Sequence, residues 1–234
     1  MASLRLSAWG HWVPNHEPDL IAMDLFFRPL ACSMASRITL YEAGATARFV
    51  EVDKKTQRTL DGDDFLAVNP LGQVPALRLD DGRVLLENAA ILQHLADLHP
   101  QAALAPAGGF ARSQLQQWLS FIGTELHKTL FVPLFDKTLP APLRARLMET
   151  GARRLALLDA HFAMQPHLLY GWSVADAYLT AVLNWHAYTG VELARWPALQ
   201  AYFERMCARP ATARALADER ALYAEELRRE RAAA

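Results

Sequence analysis

Residues 24–53 read "DLFFRPLACSMASRITLYEAGATARFVEVD". The apolar run that opens this stretch (24–27) predicts a strand, and "ARFVEVD" (47–53) predicts a second one. Between them, residues 33–44 carry apolar side chains at helical spacing and end at Gly44, the residue type that commonly follows a helix. Because the connections are short, the stretch predicts a right-handed βαβ unit with two parallel strands.

The chain continues with a hairpin and a second helix. "VPALRL" and "RVLL" flank the turn sequence "DDG" (80–82), which predicts an antiparallel hairpin over residues 74–86. Apolar residues at helical spacing follow in residues 87–98. We therefore expect an α/β domain over residues 23–99, in the order βαβ and then ββα.

Beyond this domain the pattern is helical throughout. Residues 100–109 are rich in proline, glycine and alanine and predict a linker, so residues 110–234 are expected to form an all-helical domain. The first helix carries one apolar stripe: Leu115, Trp118, Leu119, Ile122 and Leu126. Further helices are predicted near 141–164, 173–188 and 196–208. The charged, alanine-rich end (219–234) predicts a frayed helix.

The composition limits the function classes. The chain has 234 residues, with 24 Lys and Arg against 25 Asp and Glu and a net charge of -1. This balance offers no positive excess for nucleic acid or an anionic membrane surface, and no apolar run approaches the roughly 20 residues of a membrane helix. Cys32 and Cys207 lie too far apart for a zinc motif or a disulfide framework, which favours the cytoplasm. Residues 1–22 lack the apolar segment of a signal peptide and are expected to be an extension of unknown role.

Cys32 follows the first predicted strand and precedes the first predicted helix. The helix dipole and nearby backbone amides would favour a reactive thiolate there. A second interpretation is a small buried residue at a turn, since free cysteines are commonly buried. Ala35 stands where a C-x-x-C motif would have its second cysteine, so an intramolecular dithiol cycle is not expected. Cys207 follows apolar residues of a predicted helix and is expected in the core.

Pro75 opens a predicted strand, a position that suits a residue without a backbone N–H. A cis Val74–Pro75 bond would turn the backbone of Val74 outward, toward an extended peptide ligand. Only about 5–6% of X–Pro bonds are cis in folded proteins, so the residues alone favour the trans bond.

Glu87 and Asn88 open the second predicted helix. Free backbone amides at a helix N-terminus can hold a carboxylate, and a glutamate there can hold an ammonium group, so the pair could bind an amino-acid head group. The alternative is a favourable first-turn acid beside a polar residue, without a ligand.

Two polar pairs stand out in the helical part. His127 and Lys128 lie off the apolar stripe and face either a cleft or solvent. Ser173 is followed three residues later by Asp176, ahead of an apolar helix. This second spacing predicts a capping box that supports folding.

The order of these motifs resembles that of the cytosolic glutathione transferases, most closely the bacterial beta class. The resemblance runs from Met23 to about Ala217 and rests on "ACS", "DGDDFLAVNPLGQVPAL", "LLENAAILQHLADLHP", "ELHK" and "SVADAYL". It implies a thioredoxin-like domain followed by a helical domain, usually as a homodimer, with glutathione held mainly by the first domain. Glutathione would be a co-substrate, and neither a metal nor another cofactor is expected.

The resemblance also implies roles for residues of the first domain. Cys32 matches the beta-class cysteine that faces the glutathione sulfur and can form a mixed disulfide with it. Pro75 matches the family's cis-proline, so Val74 would pair its backbone with the cysteinyl part of glutathione. Glu87 matches the acid near the γ-glutamyl end, and Asn88, at a position that is often Ser, would hold the carboxylate of that end.

Stabilisation of the glutathione thiolate involves further matched positions. His127 and Lys128 match a pair that reaches the thiol region from the helical domain, which makes His127 the second candidate catalytic residue. Phe27 stands where many relatives have a tyrosine, so Ser33, backbone amides, the helix dipole or His127 would stabilise the thiolate. Arg58 falls near the positions where relatives carry lysines for the glycyl carboxylate.

The resemblance predicts a glutathione transferase that directs the glutathione thiolate at an electrophilic, hydrophobic small molecule. Two alternatives stay open. The cysteine at the contact point favours a glutathione-dependent thiol-disulfide transferase or reductase, whereas the presence of Cys32, Pro75 and Glu87 counts against a non-catalytic scaffold with protein partners. Five aromatic residues are candidates for the electrophile pocket, although helical spacing also suits the core: Trp118, Phe121, Phe131, Phe135 and Trp185.

Overall fold

A four-stranded sheet forms the centre of the N-terminal domain. The computed structural model describes residues 23–232, so the predicted extension 1–22 lies outside the described residues. The strands are β1 (Met23–Phe27), β2 (Arg48–Glu51), β3 (Ala76–Leu79) and β4 (Val84–Leu86). Their order in the sheet is β2-β1-β3-β4, with β1 and β2 parallel and the other pairs antiparallel.

Two helices pack on one face of this sheet: α1 (Met34–Glu42) and α2 (Asn88–Leu98). Leu25 and Leu77 point toward these helices from neighbouring strands. Phe26, the next residue along β1, points to the opposite face and packs on Phe65, with ring centroids 5.4 Å apart. This arrangement confirms the predicted βαβ-ββα order of a thioredoxin-like domain.

The rest of the described chain is helical, which confirms the predicted fold class. The elements are α3 (Gly109–Phe121), a π-helical segment (Ile122–Phe131), α4 (Val132–Leu134), α5 (Ala141–Met164), α6 (Val174–Leu183), α7 (His186–Thr189), α8 (Pro197–Cys207) and α9 (Pro210–Ala232). The single helix predicted over 173–188 is wrong, because the chain turns at Trp185 between α6 and α7. Between residues 23 and 232, no helix combines the length and apolar character needed to cross a membrane.

Helix α3 continues without a break into the π-helical segment Ile122–Phe131. The Val132 amide donates to the carbonyl oxygen of His127, five residues earlier. The wider winding buries the adjacent residues Leu126 and His127 together. Such segments are rare and frequently lie at functional sites.

Helix α9 corrects the prediction of a frayed tail. The helix is continuous and packs against α1, where Glu219 is fully buried and its Oε1 accepts from Arg37 Nε at 2.9 Å. One residue earlier, Asp218 accepts from Tyr41 Oη at 2.7 Å. A charged sequence by itself predicts solvent exposure. The partners of Glu219 and Asp218 lie far away in sequence, in α1, so the local pattern did not reveal them.

Candidate active site

The main cleft lies between the thioredoxin-like and helical domains and has a volume of about 630 Å³. Four of the predicted site residues line it together: Cys32, Val74, His127 and Lys128. One wall is formed by the segment after β1 and the loop before β3. The opposite wall comes from the π-helical segment, α4, the turn between α6 and α7, and α9.

Cys32 lies two residues before α1 begins. Its side chain is 7% exposed, and Sγ donates to the carbonyl oxygen of Val74 at 3.4 Å. Burial raises the pKa of the thiol to about 12, although Lys128 and the backbone amides of Cys32 and Ser33 favour the thiolate. Desolvation outweighs these contributions, which favours the interpretation of Cys32 as a small buried residue at a turn over that of a reactive thiolate.

The Val74–Pro75 peptide bond is cis, as the resemblance implied and against the base rate. The carbonyl of Val74 faces Cys32. The preceding loop is held by Asn69, whose Nδ2 donates to the carbonyl of Gln73 at 2.7 Å. Within residues 23–232 no protein group accepts from the Val74 amide, so this N–H is available to an extended ligand.

Two side chains expected to bind ligand instead support the segment around Cys32. Ser33 is fully buried, and its Oγ donates to the carbonyl of Arg28 at 3.3 Å. Asn88 is also buried; its Nδ2 donates to the carbonyl of Cys32 at 3.0 Å, and its Oδ1 accepts from Ser36 Oγ at 3.5 Å. Both side chains thus have partners within the protein, and their contacts with glutathione stay predictions. Their backbone amides remain candidates for anion binding, at the starts of α1 and α2.

Glu87 precedes α2 with φ 67° and ψ 122°, and its side chain is exposed. Residues other than glycine seldom adopt a positive φ, which costs about 1–3 kcal/mol and recurs at functional sites. The carboxylate is close enough to Cys32 to contribute, after burial, to the raised pKa of the thiol. The structure therefore places a strained acidic residue at the N-terminus of α2, beside the cysteine.

His127 is buried against Trp185, with ring centroids 4.9 Å apart. Its Nδ1 lies 2.7 Å from Tyr178 Oη. Burial, together with the charge of Lys128, lowers the pKa of His127 to about 4, and burial raises the pKa of Tyr178. Both groups are thus neutral near pH 7. If the Tyr178 hydroxyl donates to Nδ1, the imidazole proton is on Nε2, which makes His127 a neutral hydrogen-bond donor.

Arg58 does not line the cleft, which corrects another expectation. Its side chain is exposed and donates to the carbonyl of Gly62 at 2.7 Å. The cations in the cleft wall are Arg28, Lys54, Lys128 and Lys137. Among the described residues, Arg28 Nε has no hydrogen-bond partner. Sequence reasoning missed Arg28, although its place directly after β1 at the cleft end of the strand was a usable signal.

An apolar wall faces these groups from the helical domain: Val132, Phe135, Trp185, Tyr188 and Tyr223. Of the five predicted aromatic candidates, Phe135 and Trp185 line the cleft. Phe131 is buried behind Trp185, with ring centroids 6.2 Å apart, and Trp118 and Phe121 pack edge to face away from the cleft. Tyr188 and Tyr223 were missed because only the tertiary fold brings α7 and α9 to the cleft.

The predicted capping box is present at the start of α6. Asp176 is fully buried, and its Oδ2 accepts from the Ser173 amide at 2.9 Å. The other oxygen accepts from Tyr202 Oη at 2.9 Å and from the Leu168 amide at 3.2 Å. This confirms the structural role and extends it, because one carboxylate joins α6, α8 and the loop before α6.

Cys207, the second cysteine, does not line the cleft. Cys207 is partly buried against the helical core, and burial raises the pKa of its thiol to about 11. In the part of the chain from 23 to 232, no group of three or more His, Cys, Asp or Glu side chains is arranged to hold a metal ion.

Two family models match the chain. The model described as "Glutathione S-transferase, N-terminal domain" matches residues 31–98, and "Glutathione S-transferase, C-terminal domain" matches residues 123–210. The matched ranges contain most of the cleft wall. Helix α9 begins at Pro210 and lies beyond them.

Two relatives are similar over nearly their whole length. Glutathione S-transferase GstA of Escherichia coli O157:H7 is 41% identical over 203 residues, which is 84% of this chain and 98% of the relative. Glutathione S-transferase GST-4.5 of Xanthomonas campestris pv. campestris is 35% identical over 195 residues, 80% of this chain and 93% of the relative.

Solved structures show the same relationship. A sphingomonad glutathione S-transferase complexed with glutathione has a TM-score of 0.80 at 45% identity, and a bacterial beta class enzyme of Sphingomonas chungbukensis has 0.79 at 43%. Each comparison covers 84% of this chain and 98% of the other. With both family models matched and relatives of this identity aligned almost end to end, the chain belongs to the glutathione S-transferase family, is similar to its bacterial beta class, and conjugates glutathione to electrophiles.

Proposed function

We propose that glutathione binds in an extended form along Val74, with its sulfur beside Cys32 and His127. The observation that carries this proposal is the backbone of Val74 in the cleft wall, with its carbonyl oxygen 3.4 Å from Cys32 Sγ and an amide to which no described protein group is bonded. A peptide that pairs with the N–H and C=O of Val74 extends the sheet by backbone hydrogen bonds. The cysteinyl amide of glutathione then replaces Cys32 as the donor to the Val74 carbonyl.

The two ends of glutathione have separate partners in this arrangement. At the γ-glutamyl end, the Asn88 amide and the dipole of α2 favour the carboxylate, and the exposed carboxylate of Glu87 favours the ammonium group. At the glycyl end, the cations in the cleft wall are Lys54, which is exposed, and Arg28, whose Nη2 also donates to Gln57 Oε1 and to the Gly72 carbonyl; they take the place of Arg58.

The reaction then proceeds by attack of the glutathione thiolate. The thiol gives its proton to solvent, and Lys128, the backbone amides near Cys32 and the N–H of neutral His127 stabilise the resulting charge. The thiolate attacks a carbon of an electrophile held against the aromatic wall. A carbon–sulfur bond forms, and the leaving group departs with the electron pair of the bond that breaks. The protein contributes positioning and electrostatic stabilisation.

The buried thiol of Cys32 favours conjugation over thiol-disulfide exchange. A thiol transferase needs a cysteine thiolate, whereas a pKa of about 12 leaves on the order of one Cys32 in 10⁵ ionised near pH 7. Conjugation by bound glutathione does not require Cys32 to ionise. A mixed disulfide at Cys32 is therefore a slow side reaction.

We further infer a cytoplasmic homodimer with a thioredoxin-like domain at 23–99, a linker at 100–109 and a helical domain from 110 onward. Both cysteines are free thiols, which suits a reducing compartment, and the family is usually dimeric. Glutathione serves as co-substrate without a resident cofactor. Light scattering that shows a monomer at micromolar concentration would contradict the homodimer.

Calorimetry and a paired activity assay test the proposed function. Titration of the reduced protein with reduced glutathione should give saturable binding with one ligand per chain, and absence of binding at millimolar glutathione would overturn the proposal. Conjugation of 1-chloro-2,4-dinitrobenzene should exceed reduction of a mixed-disulfide substrate. In a Cys207→Ser background, Cys32→Ala should keep glutathione binding and lose any mixed disulfide. A glutathione adduct on the single variant Cys32→Ala, with none on Cys207→Ser, would contradict the assignment of Cys32.

A further inference from the structure

Leu30 lies two residues before Cys32 in the wall of the cleft. Its φ of 57° is in the left-handed region, which a leucine keeps only when the surrounding structure enforces it. Side chains of the helical domain bond both of its backbone polar groups. The Leu30 amide donates to Glu219 Oε2 at 2.6 Å, and its carbonyl accepts from Trp185 Nε1 at 2.8 Å.

The carboxylate of Glu219 contacts the chain on both sides of Cys32. Its Oε2 accepts from Leu30, before the cysteine, and its Oε1 accepts at 2.9 Å from Arg37 Nε, after the cysteine in α1. Glu219 and Arg37 are both buried. A carboxylate is stable in such a place only when its oxygens are bonded and its charge is paired.

Trp185 connects the same segment to the opposite wall. Its indole N–H bonds Leu30, and its ring packs against His127, with centroids 4.9 Å apart. One side chain thus supports the segment before Cys32 and the candidate histidine at the same time.

Helix α9 takes part in the cleft beyond Glu219. Tyr223 and Glu226 line the cleft, and although burial lowers the pKa of Arg28, the charge of Glu226 opposes that shift. The matched C-terminal family model ends at residue 210, where α9 begins.

We propose that Glu219 and Trp185 are positioning residues that clamp Leu30 and thereby hold Cys32 and the start of α1 at the glutathione site. Without the clamp, Leu30 relaxes to a more common backbone conformation and Cys32 moves away from Val74. The proposal adds positioning residues to the proposed glutathione site. It rests on the proposed function only where the KM for glutathione is measured.

Two variants of Glu219 isolate the clamp from the ion pair with Arg37. In a Cys207→Ser background, Glu219→Gln and Glu219→Leu both remove the charge that faces Arg37. Only glutamine keeps an acceptor for the Leu30 amide. Asp218→Asn is the matched control, because it changes the neighbouring acid on the same helix interface without touching Leu30.

The readout is the rate at which iodoacetamide modifies Cys32, followed by mass spectrometry, with a melting curve for each variant. Glu219→Leu should be modified about tenfold faster than Glu219→Gln, because local release of the segment exposes the thiol. The KM for glutathione should also be higher in Glu219→Leu than in Glu219→Gln, while Asp218→Asn should behave as the parent protein. Equal modification rates in folded Glu219→Leu and Glu219→Gln would overturn the proposal, since loss of the acceptor for the Leu30 amide would then not release the segment around Cys32.

Hydrogen exchange keeps the proposal testable if Glu219→Leu does not fold. In the unaltered protein the Leu30 amide should exchange as slowly as the α9 amides around Glu219, because it is released only when α9 departs. Exchange within seconds would overturn the clamp. Trp185→Phe, which removes the other bond to Leu30, should also speed modification of Cys32, and an unchanged rate would count against the clamp. The alkylation and hydrogen-exchange measurements need no glutathione, so failure of glutathione binding is a separate result.

Discussion

His127 Nδ1 lies 2.7 Å from Tyr178 Oη, and this contact joins the π-helical segment to α6 behind the cleft. Burial acts on the two groups in opposite directions, since it lowers the pKa of the imidazole and raises that of the phenol. Neutral groups therefore set the polarity at the back of the site, and Lys128 provides the nearby positive charge.

Acid should destabilise the protein through His127. Its pKa is about 4 in the folded chain against 6.5 for an unperturbed histidine, so folding favours the neutral form. The folded state binds fewer protons than the unfolded state between these values. The stability that this residue contributes is present above about pH 6.5 and is lost as the pH falls toward 4, with an upper limit of about 3 kcal/mol. Urea unfolding at several pH values measures it.

His127→Asn is the control, because three other histidines also have lowered pKa values through burial: His99, His167 and His186. The difference between the parent protein and this variant isolates the contribution of His127. Identical dependence of unfolding free energy on pH in the two proteins would refute the assignment.

Tyr178→Phe should lower both stability and catalytic efficiency. The change removes the partner of His127 Nδ1 and leaves a buried polar atom unsatisfied, at a cost of about 1–3 kcal/mol. It also removes the bond that fixes which imidazole nitrogen carries the proton, so kcat/KM should fall by about tenfold. Nitrogen-15 chemical shifts of His127 should show a mixture of tautomers. A single unchanged tautomer together with unchanged kcat/KM would contradict this prediction.

Alkylation of Cys32 should be slow. Its rate should keep rising at pH values where the alkylation rates of ordinary thiols have levelled off. With a pKa of about 12 instead of 9, the thiolate fraction near pH 8 is about 10³-fold lower than that of an unperturbed cysteine. Iodoacetamide rates in a Cys207→Ser background, measured between pH 7 and about 10, check this. A rate that levels off near pH 8 would show that the thiol ionises readily.

Replacing Asp176 should destabilise the helical domain far more than replacing Ser173. Asp176→Ala leaves the donors of Ser173, Tyr202 and Leu168 without an acceptor inside the protein, for an expected loss of about 3–5 kcal/mol. Ser173→Ala removes a cap hydroxyl and should cost about 1 kcal/mol. Thermal unfolding compares the two variants. Equal losses would mean that the carboxylate acts as an ordinary surface cap.

Local signals predicted the parts of the fold that depend on neighbours in sequence. The apolar runs and turns of residues 24–53 and 74–86 predicted the order of strands and helices along the chain, and the Ser173 and Asp176 spacing predicted a helix start. The cis bond at Pro75 came only from the family resemblance, because a proline at a strand start is compatible with either isomer.

Contacts between distant segments explain what the sequence did not reveal. Asn88 was expected to bind ligand, but its side-chain Nδ2 donates to the Cys32 carbonyl. No spacing rule identifies this partner. The charged end of the chain was expected to fray, yet Glu219 is buried against Leu30 and Arg37. In each case a polar side chain has a buried partner far away in sequence, so its local pattern resembles that of a solvated residue.

Lys54 and Arg58 provide a matched pair for the glycyl end of glutathione. Both are exposed cations of the segment after β2, but only Lys54 lines the cleft, whereas Arg58 bonds a backbone carbonyl of its own loop. A solvent-exposed ion pair is worth up to about 1 kcal/mol, so Lys54→Ala should weaken glutathione binding by about threefold to fivefold. It should also reduce the salt dependence of binding, because one screened attraction is lost. Arg58→Ala should leave the calorimetric Kd unchanged. The opposite ranking of the two variants would restore Arg58 as the carboxylate partner and would move the glycyl end of glutathione away from Lys54.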